Sequence, residues 1–383
     1  MNAPLRLNGL VWGHRRAIQP MKALTSAFSA FRPDITIEWQ VRSLADFEHQ
    51  SLTDVARACD MVLLDHPFSA EIVASGSFLP LSGLGLGCDL ADAPSFIGSS
   101  LASYRYGGSV WAVPVDGASQ HAAYRPDLME STTLPRNWDE VLALGAGLRR
   151  AGLWLGLAAL TPHAGLVLAA LMANLGKSWE TDPDQPFKID RDGFTEAYDL
   201  LSQLVSFCPP EIADWNAIDL HEAMTTRDDI VYCPCVFGYA TYAEAGSRRM
   251  AFANFPGPRA PHAAGAVLGG AGLAISRRTA APKAALDFAA YCAGAAAQSR
   301  IAFHHGQPAR IEGWSDPEAD RQLGGYLSAA RTTLESAWIR PRTCGFISFQ
   351  DRAGRRIAEA LATRRPVKSL WADVEALVGT VNP

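Results

Sequence analysis

Three loops carry chemically capable side chains directly after apolar, strand-like segments. Trp12-Gly13-His14-Arg15-Arg16 follows Leu5 to Leu10, Arg42-Ser43-Leu44 follows the alternating Ile35, Ile37, Trp39 and Val41, and Asp65-His66-Pro67-Phe68 follows Cys59 to Leu64. Trp12 can stack on a flat ligand face or can cap a sheet as a core residue. His14, Arg15 and Arg16 stand at an expected helix start, where free N–H groups and the helix dipole favour an anion that an arginine fork can grip. A solvated pair at a helix start is the equal alternative. Asp65 and His66 can accept and donate hydrogen bonds to hydroxyl groups, or Asp65 can cap the helix that Pro67 begins. Ser43 is a candidate contact that also reads as a helix cap.

These loops matter because of the elements before them. Ile18, Met21, Leu24, Phe28 and Phe31 recur at helical spacing between the first two strand patterns, so the order is β-α-β-α-β, the signature of a parallel sheet. In such sheets ligands sit beyond the carboxyl ends of the strands. Downstream, helices are expected over 138–150, 164–175, 190–207, 219–225, 282–292 and 295–305. Strands are expected over 153–157 and 230–239, with Pro234 marking the latter as an edge or an early end.

Several functions lack their residues. There is no nucleophile elbow, phosphate loop or His-Glu-x-x-His. Gly83-Leu84-Gly85-Leu86-Gly87 lacks the strand and helix that a dinucleotide site needs. His304 and His305 are adjacent, so on a helix they point about 100° apart and do not suit one metal ion. Cys233-Pro234-Cys235 reads as buried strand thiols. No cofactor or metal is expected. A net charge of −5 over 383 residues, with arginines only in isolated pairs, argues against nucleic acid. No apolar run has the length of a membrane span, and the start passes from Met1-Asn2-Ala3-Pro4 into a strand without a leader pattern. Seven cysteines, an odd number, favour a reducing compartment.

Longer motifs add a second line of argument. Tyr106-Gly107-Gly108-Ser109-Val110-Trp111-Ala112-Val113-Pro114 is a Gly-Gly turn and a short strand that breaks at the proline and restarts; Tyr124-Arg125-Pro126-Asp127-Leu128 and Pro135-Arg136-Asn137-Trp138-Asp139-Glu140 follow. Together with Gly269-Gly270-Ala271-Gly272-Leu273-Ala274-Ile275-Ser276, Gly306-Gln307-Pro308-Ala309-Arg310 and the closing Arg340-Pro341 to Phe349-Gln350, this series resembles family 1 extracellular solute-binding proteins, the sugar-type receptors of ABC importers. The resemblance runs along nearly the whole chain, and the order of the motifs carries it.

The resemblance implies a two-lobed α/β fold with three interlobe crossings and a central cleft. The first lobe would comprise 1–113 and 270–310 and the second 119–265 and 315–383, with hinges near 112–118, 266–272 and 308–314. Asp116, Ser119 and Gln120 would lie at the cleft floor, His163 and Tyr239 would approach from the second lobe, and Gly270 and Gln307 would serve hinge and turn close to the ligand. The function so implied is capture of a small polar ligand, carbohydrate or sugar-acid-like, by hinge closure, with an ABC permease as partner and the protein a monomer. That family is periplasmic, whereas the cysteines and the start favour the cytoplasm. A cytosolic sensor or carrier, or an enzyme on the same scaffold using Asp65, His66 and His163, is the alternative.

Overall fold

The computed structural model describes residues 5–43, 46, 51–82, 95–182, 184–246, 248–257 and 265–381. The Gly83–Gly87 loop, Leu44 and the first four residues lie outside these. Ten strands occur among the described residues: β1 Leu5–Trp12, β2 Ile35–Arg42, β3 Met61–Leu64, β4 Arg105–Tyr106, β5 Ser109–Val110, β6 Val113–Tyr124, β7 Trp154–Leu155, β8 Ile230–Phe237, β9 Ala251–Ala253 and β10 Leu268–Ile275. The chain divides into two compact units, 1–118 with 269–323 and 119–268 with 324–383.

In the first unit, β1 pairs in parallel with both β2 and β3, while β10 runs antiparallel to β3, giving the order β2-β1-β3-β10-β6. The helix Arg15–Phe31 buries Met21, Leu24 and Phe28 against this sheet, one stripe of its amphipathic pattern. The helices Pro282–Ala293 and Ala295–Phe303 contribute Phe288, Cys292 and Ile301 to the same core. The second helix stops at Phe303, and His305 adopts φ 66, two residues short of the helix end expected at His305.

The second unit is built on β6-β8-β7, with β9 also paired to β6. Its core includes the helix His163–Asn174, which is apolar almost all round and therefore buried on nearly every face. The helices Arg191–Val205 and Phe346–Thr363 pack against it, Val367–Val378 packs on those two in turn, and Trp179, Phe187, Phe346 and Phe349 form an aromatic group in the same core.

Three sequence expectations are corrected here. Strand β6 does not break at Pro114 but runs without interruption for 12 residues, with the proline at its second position, where the missing N–H is tolerated. Pro234 does not mark an edge, because β8 lies between β6 and β7; the pairing passes from His121↔Val236 to Ala123↔Cys233, so β8 carries one extra residue there and the bulge absorbs the absent donor. Residues 311–323 group with the first unit, so the third crossing falls at Leu323/Gly324 and not near 308–314. Gly324 and Gly325 have φ 63 and 82, and this tandem of left-handed residues turns the chain where side chains could not.

The Arg125 motif is structural. Its guanidinium forks onto Asp127 (2.8 and 2.6 Å) and donates to the carbonyl oxygens of Met224 and Arg227 (2.7 and 2.6 Å), closing the end of the helix Ala217–Thr226.

Candidate functional site

At the end of β1 the chain turns through Gly13, and His14 caps the next helix, its Nδ1 accepting from the Arg16 N–H at 3.1 Å. That cap sets the rotation of the first helical turn. Arg15 is exposed, and Arg16 turns inward to meet Asp116 on β6. Arg16 Nε donates to Oδ1 at 2.9 Å and Nη2 to Oδ2 at 2.5 Å, with the two residues only 4% and 7% exposed. The paired fork is the geometry in which a guanidinium holds a carboxylate most strongly. Burial pushes the Asp116 carboxyl up from its ordinary range; Arg16 opposes that push through charge and hydrogen bonds, and the charge of Asp65 adds to it. Asp65 is thus electrostatically coupled to the pair.

Asp65 directly follows β3 and caps the short 3-10 turn His66–Phe68, its Oδ1 accepting from the His66 N–H at 2.8 Å and lying 3.2 Å from Nδ1 of the His66 ring. The His66 ring is buried edge-on to Tyr104, whose hydroxyl donates to the Leu64 carbonyl at 2.8 Å. Arg16, Asp116, Asp65 and His66 therefore belong to one polar cluster at the carboxyl ends of β1 and β3. It sits where the parallel order of the first strands requires.

Behind the cluster the backbone is fixed by two glutamines. Gln307 donates from Nε2 to the Gly117 carbonyl at 3.1 Å, while the Gly117 N–H donates to the Gln307 carbonyl at 2.8 Å. Gln298 donates to the Pro114 and Cys292 carbonyls (3.0 and 2.8 Å) and accepts from the Ala309 N–H at 2.7 Å. Gly270 has φ 109, and a Cβ there would run into the Asp116 carbonyl oxygen. Gly270 and Gln307 thus hold the backbone that presents Asp116.

In the second unit, Ser119 Oγ lies 3.1 Å from His121 Nε2, and the His121 ring packs edge-on to Tyr326. Gln120 is committed to the backbone, its Oε1 accepting from the Val267 N–H at 3.1 Å. Tyr239 joins His221, Tyr242 and Phe252 in an aromatic group, in which Tyr242 donates to Glu222 at 2.6 Å. His163 begins its helix buried, edge-on to Phe237, and burial together with the charge of Arg340 lowers its pKa to about 4.

Several expected roles change in this light. Arg16 is occupied by Asp116 and is not presented to an anion. Trp12, 4% exposed, packs with the first unit's core. Ser43 is exposed and exchanges hydrogen bonds with Asp46 at 2.8 and 3.0 Å. Three contributors escaped sequence reading. Gln298 sits in an alanine-rich helix where it looks like a surface residue, His121 directly follows the candidates Ser119 and Gln120 on β6, and Tyr326 begins a helix late in the chain.

A two-unit α/β chain joined by three crossings, with a polar cluster at its strand ends, is the architecture of a solute receptor. A model of bacterial extracellular solute-binding proteins matches residues 23–304, and the chain belongs to that family. Among solved structures it is similar to maltose-bound MalE3 of T. maritima (20% identity, TM-score 0.81, 98% of this chain and 99% of that one). It is also similar to an ABC transporter solute-binding protein of Agrobacterium radiobacter K84 in complex with ribitol (16%, 0.80, 99% and 98%) and to UgpB of Mycobacterium tuberculosis in complex with glycerophosphocholine (17%, 0.79, 100% and 98%). At these identities the likeness shows the fold, the two-lobed binding-protein fold. The family is extracellular, which turns attention back to the cysteines. Of the six described, Cys59, Cys208, Cys233, Cys235 and Cys292 are buried and pack as small apolar groups, so their number says little about redox compartment.

Proposed function

We propose that this protein captures a small polyhydroxylated solute, a carbohydrate or polyol, between its two lobes by hinge closure and delivers it to an ABC importer. The observation that carries the reading is the coupled cluster of Arg16, Asp116, Asp65 and His66 at the strand ends of the first lobe. Carboxylates held in place accept hydrogen bonds from vicinal hydroxyls without needing a charged ligand, and the one buried guanidinium of the cluster is already answered by Asp116. Ser119, Gln120, His163 and Tyr239 are the second lobe's candidates. Structures with this fold support a sugar-like ligand, since they include complexes with maltose, mannitol, ribitol and tagatose. Binding without turnover, outside the cytoplasmic membrane and as a monomer, completes the proposal.

The test is a thermal-shift screen of the purified chain against sugars, polyols, sugar acids and sugar phosphates. A ligand at 100 times its Kd adds about 2.7 kcal/mol to the stability of the native state. Neutral sugars or polyols should shift the transition, and anionic analogues should not. Shifts confined to the anions would overturn the ligand class.

A further inference from the structure

A cavity of about 810 Å³ opens within the second unit alone, bordered by the helix Arg191–Val205, residues 208–213 and the junction of the helices Phe346–Thr363 and Val367–Val378. Small-molecule sites occupy roughly 300–1,000 Å³, and none of the residues assigned above to solute capture lines this one. Its floor is apolar, with Cys208, Pro209, Ile212 and Leu361 buried around it. Its rim is basic: Arg149, Arg364 and Arg365 against the single carboxylate of Asp199. Arg365 is held by Asp373 at 2.6 Å, and the guanidinium of Arg149 lies 4.0 Å over the Trp154 ring.

Arg364 is the unusual member. It closes its helix at φ 53 and ψ 41, a left-handed conformation that glycine ordinarily supplies and that a side chain adopts at a cost. The next helix begins at Val367 with no side-chain cap, so the positive end of its dipole adds to the basic rim. An apolar floor below a positive rim suits one class of molecule. A sugar would set hydroxyls against the floor unpaired, and a neutral hydrocarbon would leave the rim unused.

We propose that this cavity is a second binding site, separate from the solute site, for an amphiphilic monoanion whose alkyl chain lies on the Ile212–Leu361 floor with its carboxylate beside Arg364. The test is a saturation-transfer NMR titration of the full chain with octanoate and with 1-octanol, repeated on Arg364→Gly. Glycine suits the left-handed position, so this variant keeps its fold, which circular dichroism would verify. Octanoate should bind saturably and at least about tenfold more tightly than octanol, and Arg364→Gly should weaken octanoate about tenfold, the loss of one charge-assisted contact. The sugar-dependent thermal shift should be unchanged in the variant. Absence of saturable octanoate binding, octanol binding of equal strength, or wild-type affinity in Arg364→Gly would each overturn the proposal.

Discussion

Arg16 and Asp116, one hundred positions apart, form a buried two-point ion pair with contacts of 2.9 and 2.5 Å. The pair ties the first helix to the strand on which the chain leaves the first unit. Removing one partner leaves the other charge in the interior without an answer, and that costs more than the pair itself contributes. Arg16→Met and Asp116→Leu should each destabilise the protein by about 3–5 kcal/mol, whereas the double variant should recover most of the loss. Urea denaturation of the four proteins gives the coupling. Strictly additive losses would mean that the two charges do not depend on each other.

Gly270 and Gly325 both have positive φ, at 109 and 82, but only Gly270 lacks space for a Cβ. Gly325→Ala should therefore cost about 1 kcal/mol from backbone strain alone. Gly270→Ala adds a collision with the Asp116 carbonyl oxygen and should cost more than about 3 kcal/mol. Comparison of the two denaturation midpoints separates strain from crowding. Equal losses would show that the strand relaxes around the new methyl group.

The contrast between those glycines illustrates what the sequence shows and what it hides. Periodicities of two and 3.6 residues along 5–65 are local, and they gave β1, the first helix, β2 and β3 in their parallel order. The loops after those strands follow from the same pattern, so Asp65 and His66 could be placed. The partner of Arg16 could not, because an arginine at a helix start looks the same whether it faces water or a carboxylate a hundred residues away. Gln298 hides for a similar reason: its three backbone partners come from three different segments. Pro234 misled because the proline rule assumes a regular ladder, and a bulge suspends it.

His163 provides a pH test within the second unit. Its pKa falls from the ordinary 6.5 to about 4 because burial and Arg340 disfavour the charged ring. The unfolded chain then binds more protons than the native state between these values, so stability is complete above about pH 6.5 and is lost as the pH falls toward 4. The loss should reach about 3 kcal/mol. His163→Leu should flatten that part of the stability curve between pH 7 and 4.5. An unchanged slope in the variant would assign the acid sensitivity to other groups.

Gln298 satisfies two carbonyls and one N–H from inside the first unit's core. Gln298→Leu preserves size but strands all three groups, at about 1–3 kcal/mol for each that finds no water. A loss of about 3 kcal/mol or more is expected by chemical denaturation. Gln298→Glu should do no better, since a carboxylate cannot donate to the Pro114 and Cys292 carbonyls. A neutral outcome for either variant would mean that water replaces the amide.

Asp65→Asn separates capping from solute capture. Asn caps a turn about as well as Asp, so the 3-10 turn at His66 and the stability of the free protein should change by less than about 0.5 kcal/mol. The amide replaces one carboxylate oxygen with a donor and removes the charge, so vicinal hydroxyls lose a paired acceptor. If Asp65 faces the solute, the variant should bind the sugar or polyol found by the thermal screen at least about tenfold more weakly, a loss of roughly 1.4 kcal/mol. Calorimetric titration checks this directly. Unchanged affinity in a normally folded variant would reduce Asp65 to a cap and move the first lobe's contacts to His14 and Arg15.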